Sequence, residues 1–148
     1  MNTVLSVFLS FVVIVLGITK VNEYKKSASA VDEVCRFVFF VKNSIRFKNS
    51  TYETILSDAE KENYRFIEIS ENKALLNKSA GEGVLNEYKS FLSKLGTGDT
   101  ESQLNLCDEY SERFDLIRKK TFDGLPSKIK VCTSLSVLGA LCILILGG

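Results

Sequence analysis

The polar run Thr97-Gly98-Asp99-Thr100-Glu101-Ser102-Gln103 is the stretch whose side chains could hold a ligand. Asp99 could bind something there, although capping of a helix explains it better. Two acidic clusters, Asp58 with Glu60 and Glu62, and Asp108 with Glu109 and Glu112, have the composition of acid–base pairs. The chain has no histidine, which removes the usual general base near neutral pH and the commonest metal ligand. Solvated helix faces explain both clusters better. Gly81-Glu82-Gly83 and Gly96-Thr97-Gly98 are too short for a phosphate loop, and neither leads into Gly-Lys-Ser/Thr. Cys35, Cys107, Cys132 and Cys142 form no Cys-x-x-Cys pair, so they imply no disulfide framework and fit a reducing compartment. We assign no catalytic residue, metal ligand or cofactor site, and expect a protein that is not an enzyme.

The elements around the polar run give it a structural reading. Upstream, Val84, Leu85, Tyr88, Phe91, Leu92 and Leu95 recur at helical spacing. Gly96 follows the last apolar position, where a left-handed cap suits glycine, and Gly98 adds a second permissive position. Asp99 or Thr100 can cap the next helix, and Thr100 with Gln103 has capping-box spacing. That helix shows Gln103, Cys107, Tyr110, Phe114, Ile117 and Thr121 on one seam. The expectation is an antiparallel helical hairpin whose joint is Gly96, Gly98, Asp99, Thr100 and Gln103, the same residues being available to meet a partner.

All charged residues lie between Lys20 and Lys130, and the formal net charge of +1 offers no basic face for nucleic acid. The charge-free ends, 1–19 and 131–148, are read as transmembrane helices bracketing a helical bundle at 20–130. Nineteen residues make ~28 Å of helix against a hydrocarbon core of ~30 Å. The second segment reaches ~27 Å. A cleaved signal peptide is the alternative for the first, with Ala28-Ser29-Ala30 shaped like a cleavage site. That triplet lies well past the apolar run, and the start, Met1-Asn2-Thr3, has no basic side chain, so retention is expected. Lys20, Lys25 and Lys26 after the first segment, and Lys128 and Lys130 before the second, place the middle in the cytoplasm. Gly139-Ala140 is either a small-residue packing surface or part of a plain lipid-facing anchor.

Within the middle, Val31, Val34, Cys35, Val38, Val41 and Ile45 form a helical stripe. Phe37, Phe39 and Phe40 make it apolar nearly all round, as in a central helix. Asn49-Ser50-Thr51 breaks the pattern, with Ser50 and Glu53 at capping-box spacing. A short helix follows with Tyr52, Ile55, Leu56 and Ala59. Tyr64 to Ile69 reads as another turn or two of helix. Ser70 to Gly83 reads as a loop with one helical turn and core contacts only from Leu75 and Leu76. Phe122-Asp123-Gly124-Leu125-Pro126 should break or kink the chain. The fold class expected is all-α: a cytoplasmic antiparallel bundle flanked by N- and C-terminal transmembrane helices.

Phe91, Leu95, Gly96, Asp99 and Gln103 are similar to the pattern of Phe, then Leu-Gly, then Asp, then Gln in the stage III sporulation protein AB family of endospore-forming bacteria. Ser134 to Leu141 resembles that family's closing membrane run. The plan of apolar start, helical middle and apolar end matches as well. Where the family tends to carry Glu-Ile and Pro-Leu pairs, this chain has Ser44-Ile45 and Ser50-Thr51-Tyr52. The resemblance implies a scaffold in the membrane complex between mother cell and forespore, similar to secretion and pilus platform proteins. Its implied partners are the lipid bilayer, other stage III sporulation proteins and a cytoplasmic secretion-type ATPase, with homo-oligomerisation open. A membrane-anchored helical enzyme or ligand sensor using the turn 97–103 is the rival class.

Overall fold

The computed structural model describes residues 3–48, 50–70 and 73–147. Asn49, part of the expected break, lies outside them, as do Met1, Asn2, Glu71, Asn72 and Gly148. The elements run α1 (Thr3–Lys48), α2 (Tyr52–Glu60), β1 (Ile67–Ser70), β2 (Lys73–Leu76), a 3₁₀ turn (Lys78–Ala80), α3 (Glu82–Lys94) and α4 (Thr100–Gly147). The architecture is all-α apart from one two-stranded ribbon. Both α1 and α4 are long and apolar enough to cross a membrane. The chain divides into two compact units, one from Met1–Lys26 with Phe122–Gly148 and one from Ser27–Thr121.

In the apolar unit the two helices run antiparallel and meet through small residues. Ser10 Oγ donates to the Ala140 carbonyl at 3.0 Å and Ser6 Oγ to that of Gly147 at 3.4 Å. Cys132 Sγ lies 3.7 Å from the Gly17 carbonyl oxygen. A Cβ on Gly17 would overlap Ser136 Oγ and sit 2.7 Å from Ser136 Cβ. One on Gly139 would sit 3.5 Å from Val13 Cγ1. Of the two readings of Gly139-Ala140, packing holds: Ala140 is buried against the first helix. Without a hydrophobic driving force between helices in lipid, close approach over small side chains and serine-to-carbonyl hydrogen bonds are the forces available. Meanwhile Val4, Phe8, Phe11, Leu16, Ile145 and Leu146 face outward, as lipid-facing residues do.

The second unit is built on the α1 stripe. Ala30, Val31, Val34, Phe37, Val38, Val41 and Ile45 are buried, at the spacing that keeps one helix face inward. Phe39 is 62% exposed, so α1 is not a central helix buried all round. Arg118 reaches Asp32 at 3.2 Å, and Lys42 pairs with Asp108, so α1 and α4 lie antiparallel here too. The Asn49-Ser50-Thr51 expectation needs one correction. Thr51, not Ser50, holds the N-cap of α2, and its Oγ1 meets Thr54 Oγ1 at 2.9 Å instead of a backbone N–H. The Ser50 N–H points to the Ser44 carbonyl at the end of α1.

Tyr64 to Ile69 is not helical, and Ser70 to Gly83 is not mainly loop. β1 and β2 pair antiparallel with Ile67 opposite Leu76, Glu68 opposite Leu75 and Ile69 opposite Ala74. Burial alternates along both strands, which is the period of two that a half-buried ribbon requires. Leu76 is buried as expected, whereas Leu75 is exposed and Ala74 takes the inward position. A one-residue slip would exchange those faces.

Pro126 does not end the helix: α4 continues through it to Gly147. Proline removes the N–H that would reach the Phe122 carbonyl, at a cost of ~3 kcal/mol in a helix interior. Phe122, Asp123 and Pro126 are all exposed, and helix continues on both sides of the proline.

Candidate functional site

The joint between α3 and α4 forms from residues within a few positions of one another. The Leu95 N–H donates to the Phe91 carbonyl at 3.0 Å, closing α3. Gly96 then takes φ 85° and Gly98 φ 110°, both left-handed. Asp99 is the cap of α4: its Oδ1 accepts the Ser102 N–H at 3.0 Å. Hydrogen bonds from the Ser102 hydroxyl and then its N–H hold the Asp99 carboxyl below the ordinary Asp value of 3.8. The Thr100–Gln103 capping box does not form as expected. Thr100 is the first helical residue, and Gln103 reaches past it, accepting the Gly96 N–H on Oε1 at 2.8 Å and donating through Nε2 to the Thr97 carbonyl. A five-atom side chain at the fourth position of the helix can span the whole turn, so one buried amide serves both a free N–H and a free C=O of the joint.

The two arms lock above the joint. The Phe91 and Tyr110 rings pack tilted at 50° with centroids 5.3 Å apart, and the Tyr110 hydroxyl shares a hydrogen bond of 2.7 Å with Ser90 Oγ. Lys94 and Arg113 lie over the Tyr110 ring at 5.6 and 5.2 Å, and Arg113 also reaches Glu87 at 3.4 Å. Cys107, Tyr110 and Phe114 are buried on the seam, and burial pushes the Cys107 thiol up to about 11. That thiol is a small apolar side chain, not a nucleophile.

Beside the joint lies a cleft of 250 Å³ whose polar lining comes from Ser50, Thr51, Tyr52, Thr100 and Gln103. Gly96 faces Tyr52, whose Cβ would be 3.5 Å from an added Cβ. Placing valine at Gly96 forces a β-branched side chain into positive φ. We expect Gly96→Val to cost about 2 kcal/mol. Asp99→Ala should cost less, and its cost should be full above the ordinary Asp value of 3.8 and shrink as pH falls from there through the lowered folded value, because a lowered carboxyl pKa contributes stability that is lost on protonation. Thermal melts of both variants from pH 3 to 7 test this. A Gly96→Val protein that melts with the parent would mean that the joint does not depend on a left-handed residue at this position.

The acidic clusters do not converge. Asp58 pairs with Lys48 and Lys61 at 3.1 and 3.0 Å, Asp108 with Lys42, and Glu109 with Arg113 at 2.6 Å. Glu60, Glu62 and Glu112 are exposed. Surface pairs of this kind contribute little each.

Two buried polar groups carry more than sequence reasoning gave them: Glu33 was passed over, and Tyr88 was placed on the apolar stripe with no account of its hydroxyl. Glu33 is 3% exposed, and its Oε1 accepts the Phe66 N–H at 2.5 Å and the Ile67 N–H at 3.1 Å, while Oε2 lies 3.5 Å from Arg36. The carboxylate thereby fastens the entry of β1 to α1. Its place was readable: Glu33 stands three after Ala30 and four before Phe37, on the core face of the stripe. Tyr88 is the other. Its ring packs on Phe37 at 5.8 Å, and its hydroxyl has no hydrogen-bond partner among the described residues. Burial pushes this phenol far above its ordinary value, with Tyr52, Tyr64 and Glu33 adding to the effect. Removing an unpartnered buried hydroxyl should be neutral or favourable. Tyr88→Phe is expected to hold or raise stability by up to ~1 kcal/mol; a clear fall in the melting temperature would contradict it.

The fold and this joint together define an all-α protein with two candidate membrane-spanning helices. Comparison with family models, with curated proteins and with solved structures finds no match.

Proposed function

We propose that the protein is a non-enzymatic membrane scaffold of the sporulation transport complex between mother cell and forespore. In this reading the chain crosses the cell membrane twice, and its helical unit lies in the mother-cell cytoplasm. There it docks a secretion-type ATPase and other membrane subunits of the complex. The observation that carries the reading is the joint. The residues behind the resemblance to the stage III sporulation protein AB family are Phe91, Leu95, Gly96, Asp99 and Gln103. They cooperate in one piece of structure: two buried packing residues, one left-handed glycine, one cap and one side chain tying the turn. A motif whose members jointly set the angle between two helices suits a protein that presents a rigid surface. The lysines flanking both apolar segments support the orientation.

Deleting the gene in its endospore-forming host should block spore formation after engulfment, and restoring the chain should rescue it; normal spore yield in the deletion strain would end this reading. Single cysteines at Lys26 and Ser127 in an otherwise cysteine-free chain should react with an impermeant reagent only once the cytoplasmic face is opened. Labelling of intact cells would reverse the orientation.

The polar lining of the cleft keeps the rival in view, an enzyme or ligand sensor at 97–103. A small molecule protecting Thr97 to Gln103 from hydrogen exchange would favour that class.

A further inference from the structure

The outer face of α1 carries a groove of 440 Å³ between the helix and the Glu62–Tyr64 segment, lined by Arg36, Phe39, Phe40, Asn43, Phe47 and Lys48 among others. Phe39 is 62% and Phe47 78% exposed. Large apolar side chains gathered in one concavity, unlike single ones scattered over a surface, mark an interaction site. The charged side chains lining the groove are Arg36, Lys48 and, on the facing segment, Glu62, while residues 36–48 of the helix add Lys42 and Arg46 beside it and hold no carboxylate. Lys42 and Lys48 are engaged by Asp108 and Asp58. Arg46 has no ion pair among the described residues, and Arg36 is 66% exposed, with Glu33 at 3.5 Å. Cations in the last turn complement the helix dipole, which accounts for Arg46 and Lys48 but not for the open phenylalanines.

We propose that this groove docks an acidic amphipathic helix of a partner protein. Phe39 and Phe47 stand ~12 Å apart along α1. That separation suits apolar anchors spaced i and i+7 on a facing helix, the usual helix-in-groove arrangement. Arg46 lies seven residues from Phe39 and three from Asn43, on the same helical face, where it meets carboxylates flanking the anchors. A walled groove fits a rod of side chains better than the flat array of a lipid surface. The inference rests on the scaffold reading in needing a protein partner.

The test uses the full chain in phosphatidylcholine nanodiscs. Two labelled helical peptides serve as probes, each with leucines on one face, one with glutamates and the other with lysines on the opposite face. Anisotropy is read against empty discs. The glutamate peptide should bind and the lysine peptide should not. Phe39→Ser and Phe47→Ser, both at exposed positions that leave the core intact, should each weaken binding about tenfold. Arg46→Glu should weaken the glutamate peptide and admit the lysine peptide. Equal binding of both peptides, no binding of either, or binding indifferent to the three substitutions overturns the proposal. Two further outcomes overturn it as well: capture of phosphatidylglycerol vesicles through these residues without peptide binding, and self-association of the chain that Phe47→Ser abolishes. Peptide binding alongside normal spore yield in a deletion strain would fault the sporulation reading and leave the groove standing.

Discussion

Glu33→Ala is expected to cost the helical unit about 3 kcal/mol. The substitution leaves the Phe66 and Ile67 N–H groups buried with no acceptor, and each such orphan costs about 1–3 kcal/mol. It also removes a carboxylate that makes hydrogen bonds stronger than neutral ones. Glu33→Gln separates the two contributions. Both amides converge on a single oxygen, which glutamine retains, so this variant loses only the charge and the contact to Arg36 and should cost about 1 kcal/mol. Hydrogen exchange gives the local readout: the Phe66 and Ile67 amides should lose protection in Glu33→Ala and keep most of it in Glu33→Gln. If Glu33→Ala melts with the parent protein, the carboxylate does not hold the ribbon.

Gly17→Leu should separate the two apolar helices. The space for a Cβ at this position is already occupied by the Ser136 side chain, and serine is too short to swing clear without moving its helix. Overpacking of a close contact costs about 1–3 kcal/mol. Here the disturbance should spread to the Ser10-to-Ala140 hydrogen bond, which needs the same close approach. A disulfide-forming cysteine pair at Ser10 and Ala140, in a chain stripped of its own cysteines, reports the separation directly. Cross-linking should be efficient with Gly17 present and fall sharply with Gly17→Leu. Gly17→Ala should show a smaller fall, since its single methyl group meets the same obstruction with less bulk behind it. Undiminished cross-linking in Gly17→Leu would mean that the helices do not pack through Gly17.

The sequence alone determined the features that depend on neighbours a few residues away. Confinement of every charge to Lys20–Lys130 marks the apolar ends, because hydropathy is a sum over a local window. The α1 stripe, the turn at Gly96 and the capping of α4 follow from helical period and cap chemistry, which act within one turn. Asp99 was legible as a cap; that Gln103 would tie the turn, instead of closing a box with Thr100, depended on where the Gly96 and Thr97 backbone groups came to lie. Only tertiary structure decided the rest. Phe66 to Ile69 carries enough apolar character for either helix or strand, and the choice falls to a partner strand and to Glu33, which is more than thirty residues away. Pro126 argues locally for a break, yet the helix runs through it, because one lost hydrogen bond on an exposed face weighs less than the helix on either side. Gly139-Ala140 stands out as a small pair open to two readings, but Ser6, Ser10, Gly17 and Ser136 are ordinary small residues within their own segments. They acquire a role only when the two ends of the chain, more than a hundred residues apart, come within van der Waals contact.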